Sequence, residues 1–293
     1  MDRSAHLFQC SEHRSFVLFL FAPHLILSMS SPSVPSSQFA SAHALISSWR
    51  EALSLSPAEL RPILIACAVT AANYPKLLVP LVQQALSEIA AGSLSVPTTN
   101  TPPSTSSSVT AATSDATLTE QIRFVRRLRE ALYKASVLCG GPYGINALGA
   151  VNFALDPELS AAVNGYGPLR GPANAASPEE YQQRGRDLFQ TIYQHHTEPI
   201  LTKIGNSSQD LVQGILRDTY GKILSDISLI TIPETELCLV ATLVPLNVPP
   251  QLKSHVYGAR NVGVPMEQVQ ELVTVAETIT RWAHTQANDK SSL

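Results

Sequence analysis

The segment from 234 to 268 constrains the fold more than any other part of the chain. It reads as an apolar helix, a proline-rich turn, a second helix that carries His255, and a stop at Gly263. Because so short a turn forces two helices to run antiparallel, the segment predicts a helical hairpin. Ala- and Leu-rich runs without alternation of apolar and polar residues recur elsewhere, so we predict an all-α fold.

Helix–proline–helix units occur at three places in the sequence. They span 63–85, 132–153 and 237–259, each with an apolar first helix and a turn that contains proline. This likeness indicates either an internal repeat or the chance similarity of Ala- and Leu-rich helices. The position of His255 is taken by Pro80 and Ala147 in the other two units, so only the third unit carries candidate chemistry.

Three helix starts have readable signals. Each has a hydroxyl residue, a proline one or two positions later, and a glutamate three positions later, which is the pattern of an N-terminal capping box. The three hydroxyl residues are Ser56, Ser177 and Thr231. Together with the apolar periodicity, these signals predict ten helices. Their ranges are 39–53, 57–72, 76–91, 118–139, 143–154, 178–197, 208–226, 232–246, 251–261 and 265–285.

Residues 36–286 are predicted to form a single helical domain. Residues 93–117 within it are almost all Ser, Thr, Pro, Ala and Asn. Such a segment buries too little apolar surface to offset the entropy of ordering, so we expect a disordered insert. Residues 164–176 are rich in Gly, Pro and Asn and predict an irregular loop. Residues 1–35 are expected to be an extension that is disordered or serves targeting, and 287–293 a C-terminal tail.

The two ends of the sequence bear on location. The apolar run 16–27 is too short to span a bilayer, which takes about 20 residues, and Met29 is an alternative start. The final residues, Ser291-Ser292-Leu293, keep the first and last residue types of the peroxisomal signal Ser-Lys-Leu but lack its basic middle residue. We expect a peroxisomal location, with a mitochondrial or cytoplasmic location as the alternatives.

Composition and charge limit the partners. Charged residues make up only 15% of the chain, so part of the surface is predicted to be covered by self-association. The net charge of −3 gives no reason to expect nucleic acid or a membrane as partner. The cysteines form no C-x-x-C pair, and Cys67, Cys139 and Cys238 lie in apolar helical runs, where we interpret them as small buried hydrophobes.

Residues 184–189 and 236–269 resemble the carboxymuconolactone decarboxylase and alkylhydroperoxidase D-like family. The first segment, Arg-Gly-Arg-Asp-Leu-Phe, is similar to the helical segment that precedes the core of that family, and the second is similar to its core hairpin and following helix. The resemblance implies antiparallel helical hairpins of the alkylhydroperoxidase D-like type. It also implies a homo-oligomer, either a trimer or a hexamer.

The cysteine pair of the family's peroxidase branch is missing. In that branch a C-x-x-C pair lies between a Glu and a His that are nineteen residues apart. Glu236 and His255 keep the spacing, but Val248 and Gln251 take the cysteine positions. Peroxide reduction needs an attacking thiolate and a resolving thiol, so a peroxiredoxin-type thiol peroxidase is disfavoured. The decarboxylase branch needs only acid–base groups, which implies catalysis on a small organic acid or lactone.

Glu236 and His255 are the candidate catalytic residues. His exchanges a proton near neutral pH, and Glu can orient it or act as a second acid–base group. Their axial offset along the hairpin is about 8–9 Å by helical rise, so we expect a water or small substrate between them rather than direct contact. Alternatively, His255 is a satisfied core or interface residue and Glu236 favours the helix N-terminus. The chain is then a non-catalytic oligomeric scaffold or binding protein.

Two polar clusters remain. One is interpreted as a solvated helix face or interface edge, or else as a binding site for an acidic ligand: Arg123, Arg126, Arg127 and Arg129. The other comprises His195, His196 and Glu198. Adjacent side chains on a helix point about 100° apart and cannot chelate together, so we predict neither a metal site nor a cofactor.

Overall fold

The computed structural model describes residues 36–96 and 111–291. Over these ranges the chain forms helices and no strand, so the predicted all-α class is confirmed. None of the helices in these ranges has the length and apolar character needed to cross a bilayer. The predicted N-terminal extension and the last two residues of the predicted tail lie outside the described residues.

The helices follow one another with short connections. They are α1 (Ser36–Ala52), α2 (Arg61–Ala71), α3 (Leu78–Ala90), α4 (Ala111–Cys139), α5 (Gly141–Phe153), α6 (Pro157–Asn164), α7 (Pro178–Tyr193), α8 (Thr197–Ser207), α9 (Gln209–Gln213), α10 (Ile232–Leu246), α11 (Pro249–Asn261) and α12 (Met266–Ser291). A π-helix, Gly214–Leu224, continues α9. Short 3-10 turns occur at Pro75–Leu77, Pro172–Asn174 and Gln194–His196.

Helix α10 lies at the centre of the fold. Every residue from Thr235 to Leu243 is buried, and α10 packs against α2, α4, α11 and α12. Helix α2 is likewise buried from Pro62 to Ala71. A helix that is apolar on all sides belongs in the interior of a protein. The carboxylate of Glu236, which lies on this helix, is therefore held away from water.

A second, smaller core forms where α7 crosses the π-helix. Gly185 and Gly221 lie at the crossing: a Cβ on Gly185 would lie 1.7 Å from the backbone oxygen of Leu216, and a Cβ on Gly221 would lie 1.8 Å from that of Tyr181. The two backbones are in contact, so neither position accepts a side chain. This close approach brings the π-helix, and Tyr220 on it, against α7.

Lys134 joins α4 to both cores. Its side chain is fully buried, and Nζ donates hydrogen bonds to the backbone oxygens of Leu224 (3.2 Å) and Asp226 (2.7 Å) and to Thr235 Oγ1 (2.9 Å). Burial lowers the pKa of Lys134 to about 8, against the opposing effect of the Glu130 carboxylate. The three acceptors fix the end of the π-helix relative to the start of α10.

The predicted helix starts have mixed outcomes. At Ser177 and Thr231 the side-chain oxygen accepts a hydrogen bond from the amide three residues on, and both capping boxes are confirmed. The box at Ser56 is wrong, because α2 begins at Arg61. Ser56 Oγ accepts a 3.2 Å hydrogen bond from Gln268 instead, so its hydroxyl serves a tertiary contact with α12.

The disordered insert predicted at 93–117 is wrong at both ends. Leu94 and Val96 belong to the main core, and α4 begins at Ala111 rather than at 118. Arg123 donates a 2.7 Å hydrogen bond to the backbone oxygen of Val96, which holds this part of the chain against α4. Residues 97–110 lie outside the described part.

Residues 164–176 are irregular apart from one 3-10 turn, as predicted. Helix α6 was not predicted, and α8 extends from the end of a helix that was predicted to stop at 197. Helix α6 does have a local start signal, since Asp156 Oδ1 accepts a 2.8 Å hydrogen bond from the Leu159 amide and Pro157 takes the first helical position. Helix α8 has no side-chain cap.

Candidate functional site

Four polar side chains meet between the two cores, each from a different helical segment. Glu236 comes from α10, His255 from α11, Tyr193 from the last position of α7, and Tyr220 from the π-helix. All four are buried, with exposures of 0%, 5%, 9% and 6%. Because buried polar groups are costly unless they are hydrogen-bonded, their partners decide what the cluster can do.

The four groups form one continuous chain of hydrogen bonds. His255 Nδ1 lies 3.0 Å from Glu236 Oε2, and His255 Nε2 lies 3.3 Å from Tyr193 Oη. Tyr193 Oη lies 2.6 Å from Tyr220 Oη. One arrangement of protons satisfies every link: Tyr220 donates to Tyr193, Tyr193 donates to Nε2, and Nδ1–H donates to the carboxylate.

The expectation that Glu236 and His255 do not touch is wrong. The estimate from helical rise compared backbone positions only and omitted the reach of the two side chains. Gly258 makes the contact between Glu236 and His255 possible. A Cβ at this position would lie 2.6 Å from Glu236 Oε2 and 2.6 Å from Ile192 Cγ2. The bare backbone at this position leaves room for the carboxylate against α11, one turn from the imidazole.

Burial keeps both phenols protonated. Burial, assisted by the negative charge of Glu236, raises the pKa of Tyr193, while the hydrogen bond from Tyr220 opposes this rise. The pKa of Tyr220 is raised well above its usual value, first by burial and then by Tyr193 and Glu236. Both tyrosines therefore act as neutral hydrogen-bond donors at physiological pH.

One oxygen of the site has no partner. Glu236 Oε1 is fully buried and makes no hydrogen bond to any described residue. Buried side-chain atoms without a hydrogen-bond partner are uncommon in proteins, and each calls for an explanation such as a catalytic role or a bound water. Within the described residues no group of three His, Cys, Asp or Glu side chains could hold a metal ion.

The two tyrosines were not found by sequence reasoning. Tyr193 and Tyr220 lie 62 and 35 residues before His255 in the chain, and neither stands in a recognisable motif. Their one sequence signal is indirect, since Gly185 and Gly221 permit the close crossing that brings both rings to the site.

The cysteines among the described residues are not part of this hydrogen-bonded chain. Cys67 and Cys238 are fully buried, as predicted, whereas Cys139 is half-buried. A hydrogen bond with the Cys238 thiol, followed by burial, raises the pKa of Cys67. Burial raises the pKa of Cys139. A raised pKa lowers the thiolate fraction, so neither Cys67 nor Cys139 is activated as a nucleophile. The two positions that hold the cysteine pair in the peroxidase branch carry no sulfur here. Val248 immediately precedes α11, and Gln251 is exposed on its first turn.

Chemically, the four-residue chain can store and move a proton. With Nδ1 facing the Glu236 carboxylate, Nε2 is the ring nitrogen that faces Tyr193 and through it the rest of the hydrogen-bonded chain. Tyr193, the most exposed member, connects Nε2 with the end of α7. The arrangement fits a general acid–base pair with an orienting carboxylate.

Comparison with curated proteins provides a family. A Schizosaccharomyces pombe protein named peroxisomal protein 2 is 35% identical over 155 residues, which are 53% of this chain and 69% of that protein. This chain belongs to the peroxisomal protein 2 family. A Saccharomyces cerevisiae protein of the same name is 25% identical over 179 residues, covering 55% of this chain and 63% of that relative. No family model and no solved structure matches the chain.

These relatives also bear on location. Both carry a name that places them in the peroxisome, and the expected peroxisomal location of this chain is confirmed on that ground. Ser292 and Leu293, on which the expectation was partly based, lie outside the described residues.

Proposed function

We propose that this protein is a carboxymuconolactone decarboxylase-like enzyme that performs acid–base catalysis on a small organic acid or lactone. In this proposal its helix pairs are hairpins of the alkylhydroperoxidase D-like type. The observation that carries the proposal is the continuous hydrogen-bonded chain from Glu236 through His255 and Tyr193 to Tyr220.

The proposed chemistry needs a proton donor beside a reacting carbon. In a decarboxylation the carbon–carbon bond breaks, carbon dioxide leaves, and the electron pair stays on the substrate carbon. His255, protonated and stabilised by Glu236, would then deliver a proton to that carbon, either directly or through the Tyr193 hydroxyl. Before the next turnover the imidazole would take a proton back from solvent along the same path.

Access to the site would be at the end of α7. Tyr193 is the last residue of that helix, and Gln194 after it has a left-handed backbone (φ 49°) within a 3-10 turn. A short, irregular connection of this kind moves more easily than the helices around it. Substrate would therefore reach Tyr193 first and His255 behind it.

The test is a substrate panel with matched variants. Purified protein is incubated with carboxymuconolactone and with simple β-keto acids, and carbon dioxide release is measured. We expect His255→Asn and Glu236→Gln to lower turnover by about 10²- to 10⁴-fold, the usual contribution of general acid–base catalysis. His284→Asn, an exposed histidine on α12, serves as the control and should leave turnover unchanged. Wild-type turnover that survives in His255→Asn would refute the proposal.

A non-catalytic scaffold is the second candidate, favoured by the near-complete burial of His255. Here the four-residue chain would only tie α7, α10, α11 and the π-helix together. Glu236→Gln would then reduce the free energy of unfolding, and the wild type would turn over none of the panel. That combination of results supports the scaffold over the enzyme.

The thiol-peroxidase alternative stays disfavoured. The cysteines among the described residues are buried or half-buried, and the pKa values of Cys67 and Cys139 are raised. Peroxide consumption by the wild type that is lost in Cys67→Ser would revive this alternative.

Self-association into a trimer or hexamer is part of the proposal. It is supported by large apolar side chains that remain exposed on the single chain, among them Ile145 and Phe153 on α5, each 73% exposed. A contiguous exposed apolar patch marks a protein–protein contact site, and in this proposal the two side chains on α5 belong to such a patch.

A further inference from the structure

A second site lies apart from Glu236 and His255. A cavity of about 610 Å³ opens between α4, α6, the loop 165–170 and the end of the π-helix. Small-molecule sites typically measure about 300–1,000 Å³. Its α4 wall is formed by residues three, four and seven positions apart, from Arg126 to Tyr133, which therefore share one helix face.

The cavity has an excess of positive charge. Four cationic side chains and one carboxylate line it: Arg126, Arg129, Arg170, Lys222 and Glu130. The carboxylate is already occupied, because Arg170 Nη1 and Nη2 donate to it at 2.9 and 2.5 Å. Arg170 also lies 3.4 Å from Asp226 Oδ2. This leaves three cations without an ion pair to any described carboxylate, in a chain whose net charge is −3.

Two of those cations are held in place by neutral partners. Arg129 donates to Asn164 Oδ1 at 2.8 Å and to Asn152 Oδ1 at 3.1 Å. The guanidinium of Arg126 lies 3.9 Å from the ring centroid of Tyr166. Amide oxygens and an aromatic ring orient a guanidinium but do not neutralise it. In agreement, burial lowers the pKa of Arg129, as expected for a charge with no anion beside it.

The remaining walls are apolar. Leu148 from α5, Val163 from α6 and Leu169 from the loop contribute aliphatic surface next to the cations. A ligand that matches both parts of this lining has an anionic group and an apolar body.

We propose that the cavity binds a small organic anion. Arg126, Arg129 and Lys222 hold its carboxylate or phosphate, and its apolar part lies against Leu148 and Val163. The site does not depend on the proposed acid–base chemistry, because it shares no residue with the chain from Glu236 to Tyr220.

The experiment is calorimetric titration of the purified full chain with four probes: phenyl phosphate, benzoate, inorganic phosphate and phenol. The two aromatic anions should bind more tightly than inorganic phosphate, which lacks the apolar part, and phenol, which lacks the charge, should not bind measurably. The tighter of phenyl phosphate and benzoate identifies the preferred anionic group. Raising the salt concentration should weaken binding of both.

Variants assign the binding to this cavity. Arg129→Gln and Lys222→Gln should each raise the dissociation constant about tenfold, as expected for loss of one charge-assisted hydrogen bond. Because Arg129 also ties α4 to α5 and α6, Lys222, an exposed residue, provides the variant that preserves folding. Arg281→Gln, at an exposed arginine on α12 that donates to Thr278 Oγ1, is the matched control and should bind like the wild type.

Two results would overturn the proposal. One is the absence of binding by both aromatic anions, and the other is binding that Lys222→Gln and Arg129→Gln both leave unchanged. The His255→Asn variant should bind the anions normally, so failure of the proposed catalysis and failure of this site are distinguishable.

Discussion

At the scale of single residues, Tyr193 and Tyr220 make the free energy of unfolding depend on pH. Their usual pKa is 10.0, and the folded state raises both values. Above pH 10 the unfolded chain loses these protons while the folded chain keeps them. The stability that comes from the neutral phenols is therefore fully present below pH 10 and declines as the pH rises beyond it.

Tyr220→Phe tests this dependence. Loss of its 2.6 Å hydrogen bond to Tyr193 should lower the free energy of unfolding by about 1 kcal/mol below pH 10. Above pH 10 the difference in free energy of unfolding between the variant and the wild type should narrow. The wild type has two tyrosines whose pKa is raised by folding and so loses more stability there than the variant, which lacks one of them. Urea unfolding at a series of pH values measures the gap, and Tyr257→Phe, at an exposed tyrosine, should show no such narrowing. A gap that stays constant across pH 10 contradicts the assignment.

Gly258 is the residue on which the Glu236–His255 contact depends. In Gly258→Ala the new Cβ would lie 2.6 Å from Glu236 Oε2, so the carboxylate must move away from the imidazole. We expect a loss of about 1–3 kcal/mol, typical of overpacking, measured by urea unfolding. The control is Gly149→Ala on α5, where a Cβ would meet nothing within 4 Å. It should gain about 0.5–1 kcal/mol, as a helical glycine does on replacement by alanine. Equal effects of the two substitutions would show that Gly258 has no special packing role.

At the scale of elements, the crossing of α7 and the π-helix controls where Tyr193 and Tyr220 meet. Gly185→Ala would place a Cβ 1.7 Å from the backbone oxygen of Leu216, which no rotamer change relieves. We expect a loss of more than about 3 kcal/mol, the upper end of ordinary overpacking. Gly214→Ala, in the same π-helix with nothing within 4 Å, should unfold at nearly the wild-type urea concentration. If both variants unfold alike, the backbone contact is not required.

The elements also show how far sequence patterns reach. The capping boxes at Ser177 and Thr231 were predictable because the cap and its partner are three residues apart. The same pattern failed at Ser56, whose hydroxyl accepts a hydrogen bond from Gln268, more than two hundred residues away. A local pattern therefore predicts the possible cap but not the tertiary contact that the same side chain makes.

At the scale of the whole molecule, the exposed side of α5 provides a test of self-association. Ile145 and Phe153 lie two turns apart on this helix, and both are 73% exposed. Ile145→Lys should shift the protein towards smaller species in size-exclusion chromatography with light scattering, since a charge is costly to bury in an apolar interface. Leu211→Lys, at an exposed apolar residue on α9, is the control outside α5 and should leave the mass of the protein unchanged. An unchanged mass for Ile145→Lys would exclude this face as the interface.

The sequence by itself determined the all-α class, the turn between α10 and α11, and the stop at Gly263. These follow from periodicity, proline and glycine, whose effects act within a few residues of the chain. Glu236 and His255 were singled out by a resemblance to a known family and not by a local pattern. Only the tertiary structure decided that Glu236 touches His255, that two tyrosines extend the hydrogen bonds, and that arginines on α4 face a cavity. Those outcomes depend on helix crossings and side-chain reach between segments far apart in the chain, which no local pattern encodes.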